Sequence, residues 1–180
     1  PAPTDASLDP DDTFEFILHS DNGTNGSTLG TIIDQNTTGT FAFDPGTMNT
    51  GDTYFISYVV GNDTGTGVDL ADDCTDIAVG QPAIWYEIPS PDAGPDDAVC
   101  GLDYSLMAVP SVGTGTWSQV AGPGTAVFAD PNDENSTVSV DVFGAYTFAW
   151  SEDNNGCTNS EEVIITFNDR FYKIPGIGGK

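Results

Sequence analysis

The sequence predicts an all-β protein, built as two tandem antiparallel β-sandwiches with a short C-terminal extension. Three observations lead there. First, Thr, Val, Tyr, Phe and Gly recur while Leu, Lys, Arg and Glu are scarce, a palette that suits strands and turns. Second, apolar residues alternate with polar ones in short runs, and no window carries a 3.6-residue apolar period. Third, Gly, Pro, Asn and Asp clusters punctuate these runs every 8–12 residues or so, the spacing of sandwich strands. A chain of 180 residues accommodates two modules of roughly 80–100 residues each.

Residues 1–12 read as a lead-in. Residues 13–19 have strand composition and run into a Gly/Asn/Thr turn; residues 29–33 and 39–43 predict two further strands, the second closed by Asp44, Pro45 and Gly46. Residues 53–60 give the clearest strand of this half, with Tyr54, Ile56, Tyr58 and Val60 on one face. A polar, acidic loop over 62–76 precedes more strand at 77–88. Pro89, Pro91 and Pro95 then mark a short, semi-rigid connector. The first domain is therefore assigned to 13–89 and the second to 90–169.

In the second domain Cys100, Leu102, Tyr104, Leu106 and Ala108 alternate, as do Val138, Val140 and Val142. The run 144–150 places Tyr146, Phe148 and Trp150 on one face, with Thr147 and Ala149 on the other. Strands are also expected at 116–118, 126–128 and 162–167. Two cysteines on two strands of a sandwich are commonly joined, so Cys100 and Cys157 are assigned a disulfide, the alternative being two buried thiols. Closing that loop would contribute roughly 4 kcal/mol. Cys74, in an acidic loop, is left over.

The net charge is −25, from 28 acids against three bases. Such a field repels nucleic acid and anionic membranes and attracts cations. No apolar run is long enough for a transmembrane helix, so no membrane insertion is expected. No signal-peptide pattern opens the sequence, and a chain beginning at Pro1 reads as processed or excised. An extracellular, cell-surface location is inferred from the expected disulfide and the acidic, Lys-poor surface.

The stretches Asp92 to Asp96, Val99-Cys100, Gly113 to Trp117, Gly122 to Ala126, Phe128, Gly144 to Trp150 and Gly156-Cys157 resemble one repeat unit. It is the Ig-like, PKD-related tandem repeat of very large secreted surface proteins of Bacteroidota, including gliding-motility adhesins. The first half is similar to the module that often precedes it, in Gly39 to Gly46, Thr53 to Ser57, Gly61-Asn62 and Val68 to Leu70. The resemblance implies two tandem Ig-like antiparallel β-sandwich domains, exported and strung into a filament or stalk, with copies of the chain or adjacent repeats as partners. It also implies O-glycosylation at Ser or Thr following Asp, of which Thr13, Thr53 and Thr64 are examples. Sequons at Asn22, Asn25, Asn36, Asn62 and Asn135 are expected from composition alone.

Calcium is the ion such an acidic chain suits. Asn62, Asp63, Asp69, Asp72 and Asp73 cluster on one loop, and Asp92, Asp96 and Asp97 lie at the domain junction. Loop oxygens between sandwiches can lock neighbouring modules, although neither cluster has EF-hand spacing; the alternative is a solvated acidic surface. No other cofactor is expected. Catalysis finds no support: the one histidine, His19, reads as a surface or edge residue, and no nucleophile elbow or phosphate loop is present. The chain is read as a non-enzyme.

All three bases fall in the last 11 residues. Arg170 and Lys173 are interleaved there with Phe171, Tyr172, Ile174 and Ile177, and Pro175 with three glycines disfavours a helix. An extended peptide of this kind can add to an open sheet edge on the next subunit, its charges facing that subunit's acidic body, giving head-to-tail assembly; the alternative is a disordered terminus. The resulting expectation is a structural and adhesive surface protein, the repeating unit of a filament. The rival is a carbohydrate-binding accessory module of a secreted hydrolase, binding surface glycans through an exposed Trp85 or Trp117.

Overall fold

The computed structural model describes residues 10–21 and 28–169. The sequons at Asn22 and Asn25, and the basic segment from Arg170 to Lys180, lie outside the described residues. All regular structure in the described residues is β. The chain divides into two compact units, Pro1–Trp85 and Tyr86–Lys180.

The first unit is organised on one five-stranded sheet. Strands β1 (Asp12–His19), β2 (Ile32–Asn36), β3 (Thr53–Asn62) and β4 (Asp76–Ile77) run in the order β2-β1-β3-β4, and β5 (Gln81–Ile84) also pairs with β3. All these pairings are antiparallel. Both faces of the central strands bear apolar side chains, so both need cover. On one face Ile17 and Val59 pack with Leu29, Val68 and Ile77. On the other, Leu18, Met48 and Tyr54 pack with Ile33, Phe41, Phe43, Ile56 and Trp85. Residues 39–43, expected as a strand, take no ladder position; Phe41 and Phe43 instead turn onto the sheet as a covering layer. The β3 face of Tyr54, Ile56, Tyr58 and Val60 includes the buried Tyr54, but the most deeply buried positions, Ser57 and Val59 at 0% exposure, lie on the opposite face.

The second unit is a two-sheet sandwich. One sheet has the order β6-β12-β11-β8, from β6 (Asp97–Cys100), β12 (Cys157–Asn168), β11 (Gly144–Asn154) and β8 (Thr114–Ala121). The other has the order β7-β10-β9, from β7 (Asp103–Ser105), β10 (Thr137–Val140) and β9 (Ala126–Phe128). Tyr146, Phe148 and Trp150 project from β11 between the sheets, as their alternation predicts, and join Trp117, Val138, Val163, Ile165 and Phe167 in one core. The Tyr146 hydroxyl donates to the Val142 carbonyl at 3.0 Å, the corner that ties a core tyrosine to the turn preceding its strand. Together these features make the protein all-β with an Ig-like sandwich.

Residues 88–95, read as a connector, are held along the second unit together with Glu87. Asn154 and Asn159 donate to the carbonyls of Glu87 and Pro89, both at 2.9 Å. Ala93 is buried, and its N–H donates to Glu161 at 2.8 Å. Prolines spare this segment some donors, Ser90 and Asp92 donate to the Ser111 hydroxyl and the Val109 carbonyl, and side chains of β11 and β12 meet the Glu87 and Pro89 carbonyls and the Ala93 N–H.

The expected Cys100–Cys157 disulfide is not formed, and the topology forbids it. β6 runs parallel to β12 with Cys100 beside Asn168, the last residue of β12, while Cys157 is the first. Eleven residues at about 3.3 Å each separate the two levels by roughly 35 Å, far beyond the ~7 Å limit between bridged Cα atoms. The assumed inward face of Cys100 also fails. Gly101, with φ 132°, interrupts the alternation, so Val99 packs against the core and Cys100 points outward.

Candidate functional site

The acids nominated as calcium ligands fold mostly as local turn acceptors. Asp63 accepts from the Gly65 N–H, Asp69 from Ala71, Asp72 from Cys74 and Asp92 from Gly94, each two residues on, at 2.7–3.0 Å. This is the Asx-turn geometry that Asp favours in loops. Asn62 donates to Asp72 at 2.8 Å, linking the end of β3 to the acidic loop. Asp96 accepts from the Ile164 N–H at 2.8 Å, and Asp97 from the Tyr104 hydroxyl at 3.0 Å. Asp73 is exposed on the same acidic loop. Among the described residues no three acid, His or Cys side chains gather as a metal cluster. The carboxylates at Asp72 and Asp73 raise the pKa of the neighbouring Cys74 thiol, Asp72 most.

Thr13 and Thr53 lie on β1 and β3 and Thr64 on the exposed loop that follows β3. Of these, Thr64 is engaged locally: its hydroxyl donates to the Gly67 carbonyl at 2.9 Å. Neither tryptophan proposed as a sugar platform presents one. Trp117 is 2% exposed in the core of the second unit, and Trp85 is half-buried, edge-on to Tyr54.

His19 is the largest departure from the sequence reading. It is fully buried, not at the surface. Its Nδ1 lies 3.0 Å from the Leu29 carbonyl and its Nε2 2.8 Å from the Ser57 hydroxyl. A carbonyl only accepts, so Nδ1 carries the proton and Ser57 donates to Nε2 in the neutral ring. The pair sits beneath Phe55 and Gly80 in the body of the first unit, where it satisfies two otherwise orphaned polar groups and is closed to any substrate. Burial holds the imidazole below its ordinary pKa of 6.5, against the raising pull of the Leu29 and Asp21 backbones and the Asp21 charge. The unfolded chain therefore takes up a proton near pH 6.5 that the folded one refuses. Stability should be constant above that value and fall as pH drops below it, by at most about 1.4 kcal/mol per pH unit. Urea melts of the first unit between pH 5 and 8 should show this slope, and His19→Gln should flatten it; a parent slope of zero would contradict the assignment.

Glu152 is another buried ionisable group, 2% exposed. It continues the inward face of β11 one step beyond Trp150, whose indole Nε1 donates to it at 3.0 Å. The Ser111 N–H donates at 2.9 Å and the Ser111 hydroxyl makes a further short bond, while the Ser90 N–H donates to that hydroxyl at 2.8 Å. Burial alone would raise this carboxyl's pKa, but the Ser111, Trp150 and Val112 donors outweigh it and hold the value below 4.5. This network fastens the segments around Ser90 and Ser111 to β11.

One partly open apolar surface lies on the first unit. Cross-strand partners share a face, so Phe14, Phe16 and Leu18 of β1 stand beside Val60, Tyr58 and Ile56 of β3. At one end Leu18 and Ile56 are covered by the 41–48 segment and Trp85. At the other, Phe14, Phe16 and Tyr58 are only half-buried, with Phe14 stacked on Tyr58 at 5.4 Å and Phe16 edge-on at 5.2 Å. A groove of about 380 Å³ runs here, lined by Phe16, Ile56, Tyr58, Ala78, Val79 and Gln81. Val79 is 59% exposed. Asp76, opposite Val60, falls on the groove's face, whereas Asp34, opposite Leu18, lines a separate cavity with Ile33, Ala42, Asp44, Thr47 and Met48.

No family model matches the chain, and no curated protein does. Among solved structures it is similar to the fibronectin(III)-like modules of Clostridium thermocellum CbhA, with a TM-score of 0.35 and 13% identity over 86% of this chain and 78% of that one. It is also similar to Drosophila N-cadherin EC1-3, with a TM-score of 0.35 and 14% identity over 89% of this chain and 57% of that one. Human protocadherin-24 EC1-2 gives a TM-score of 0.33 and 11% identity, over 87% and 82% of the two chains. The chain spans little more than half the length of the N-cadherin structure.

Proposed function

We propose that the chain is a structural and adhesive module of the cell exterior, the repeating unit of a surface filament or stalk, in which the segment 170–180 of one copy docks on the acidic body of the next. The observation that carries this reading is the segregation of charge. Every Lys and Arg lies between Arg170 and Lys180, so the described residues contain acids and no Lys or Arg at all. Opposite charges held at separate places on one chain favour contacts between copies, and a contact joining two different surfaces propagates into an open fibre. The buried positions support a structural role as well: His19, Ser57 and Glu152 are committed to holding the fold. The rival sugar-binding reading loses its platform, since Trp117 is buried and Trp85 is packed on Tyr54.

Negative-stain microscopy of the full chain tests this directly. Filaments should form at low salt, shorten as salt screens the attraction, and vanish when residues 170–180 are deleted. Absence of filaments from the intact chain, or filaments indifferent to the deletion, would overturn it.

A further inference from the structure

We infer that the acceptor site for the segment 170–180 of a second copy is the aromatic groove of the first unit, between the Phe14–Tyr58–Phe16 cluster and the 78–81 segment. The inference rests on the preceding reading that copies of this chain assemble, and it adds where they meet. Phe14, Phe16 and Tyr58 are half-buried: Gly39 lies over the Phe16 ring, while Phe16 and Tyr58 also line the groove beside residues 78–81. Residues 41–48 cap Leu18, whereas Phe16, Ile56 and Tyr58 floor a groove walled by Ala78, Val79 and Gln81.

Two complementarities select the occupant. The groove is apolar and aromatic, and the 170–180 segment supplies Phe171, Tyr172, Ile174 and Ile177 within eight residues. Asp76 stands on the groove's face, opposite Val60, in a body without Lys or Arg, and the same segment supplies Arg170 and Lys173 on either side of its two aromatic residues. Aromatic side chains entering an apolar cleft, with cations at its acidic rim, follow the division of an interface into apolar centre and polar edge. No other part of this chain carries Lys or Arg, so no other part of it could supply both halves of the match. The apolar centre fixes the position and the charges steer the approach.

The test is a fluorescence-anisotropy titration of a labelled peptide with the sequence of residues 170–180, using the full chain as receptor below its assembly concentration. Val79→Arg places a cation at the groove from a side chain that is 59% exposed, so the fold should tolerate it. Val127→Arg, at 66% exposure on β9 of the second unit, adds the same charge elsewhere. The expected result is peptide binding that Val79→Arg weakens at least tenfold and Val127→Arg changes less than twofold. Alanine at Phe171 and Tyr172 in the peptide should weaken it by a similar factor. Equal weakening by the two Arg variants would mean general charge attraction, and would overturn the groove. Binding untouched by Val79→Arg, or no binding while the intact chain still forms filaments, would also overturn the groove and leave the assembly reading standing. A chain that forms no filaments refutes that underlying reading instead.

Discussion

Gly115→Val should unfold the second unit at temperatures where the parent chain is fully folded. Gly115 sits on β8 opposite Glu152, and the Trp150 ring lies against its backbone. A Cβ built there would stand 1.9 Å from Cζ2 of that ring, with Cε2 and Cη2 both at 2.5 Å. The ring is rigid, 1% exposed, tilted against Trp117 at 5.2 Å and held by its Nε1 bond to Glu152, so it has nowhere to move. Overpacking usually costs about 1–3 kcal/mol, and an overlap this deep belongs at or beyond the upper end, with alanine already severe. For a unit of this size that corresponds to a loss of roughly 15 °C or more in melting temperature. Near-ultraviolet circular dichroism reports the tryptophan pair during the melt; a shift under about 3 °C would show that the ring has room this structure denies it.

Glu152→Leu should cost the second unit about 3–5 kcal/mol, because it removes a carboxylate while leaving its donors buried. The Ser111 N–H and the Trp150 indole would lose their acceptor together. Glu152→Gln separates geometry from charge: its one carbonyl oxygen can still accept, but its amide group faces further donors, so an intermediate loss is expected. The pH dependence follows from the lowered pKa. The folded state favours the ionised form, so the contribution is present above pH 4.5 and is lost as pH falls below that through the folded value. Chemical denaturation of parent and Gln variant from pH 3 to pH 7 should converge at the acid end. Parallel curves over that range would refute the assignment.

How much of this was legible in the residues depends on what sets each feature. The inward face of β11 was readable because alternation is local, and Tyr146, Phe148 and Trp150 obey it. The same rule, carried one step further, places Glu152 inward; its charge is what argued against following the pattern. His19 failed for the related reason that polarity suggested a surface, although His19 also alternates with the buried Ile17. Its partners, the Leu29 carbonyl and the Ser57 hydroxyl, lie ten and 38 residues away, and nothing local announces them. The cysteine pairing failed on topology. Alternation tells which face a residue occupies and is silent on which end of a neighbouring strand it meets, and one glycine, Gly101, was enough to reverse even the face. The groove on the first unit is hidden for a similar reason: it lies where residues 78–81 come alongside β1 and β3, a placement by distant chain that is not written in Phe16 or Tyr58.

The parallel alignment of β6 with β12 also governs how the second unit would bear a load. β6 lies near the start of this unit and β12 closes its described part, and the two are direct neighbours over four residue pairs. Tension drawn along the chain pulls β6 toward its N-terminal end and β12 toward its C-terminal end, so the two strands are dragged past each other in shear. Their hydrogen bonds then share the force together, instead of opening one after another as they would in a strand peeled from its end. Resistance to such pulling is set by the rate of crossing that barrier, not by equilibrium stability. A weakly stable module can thus remain a strong link.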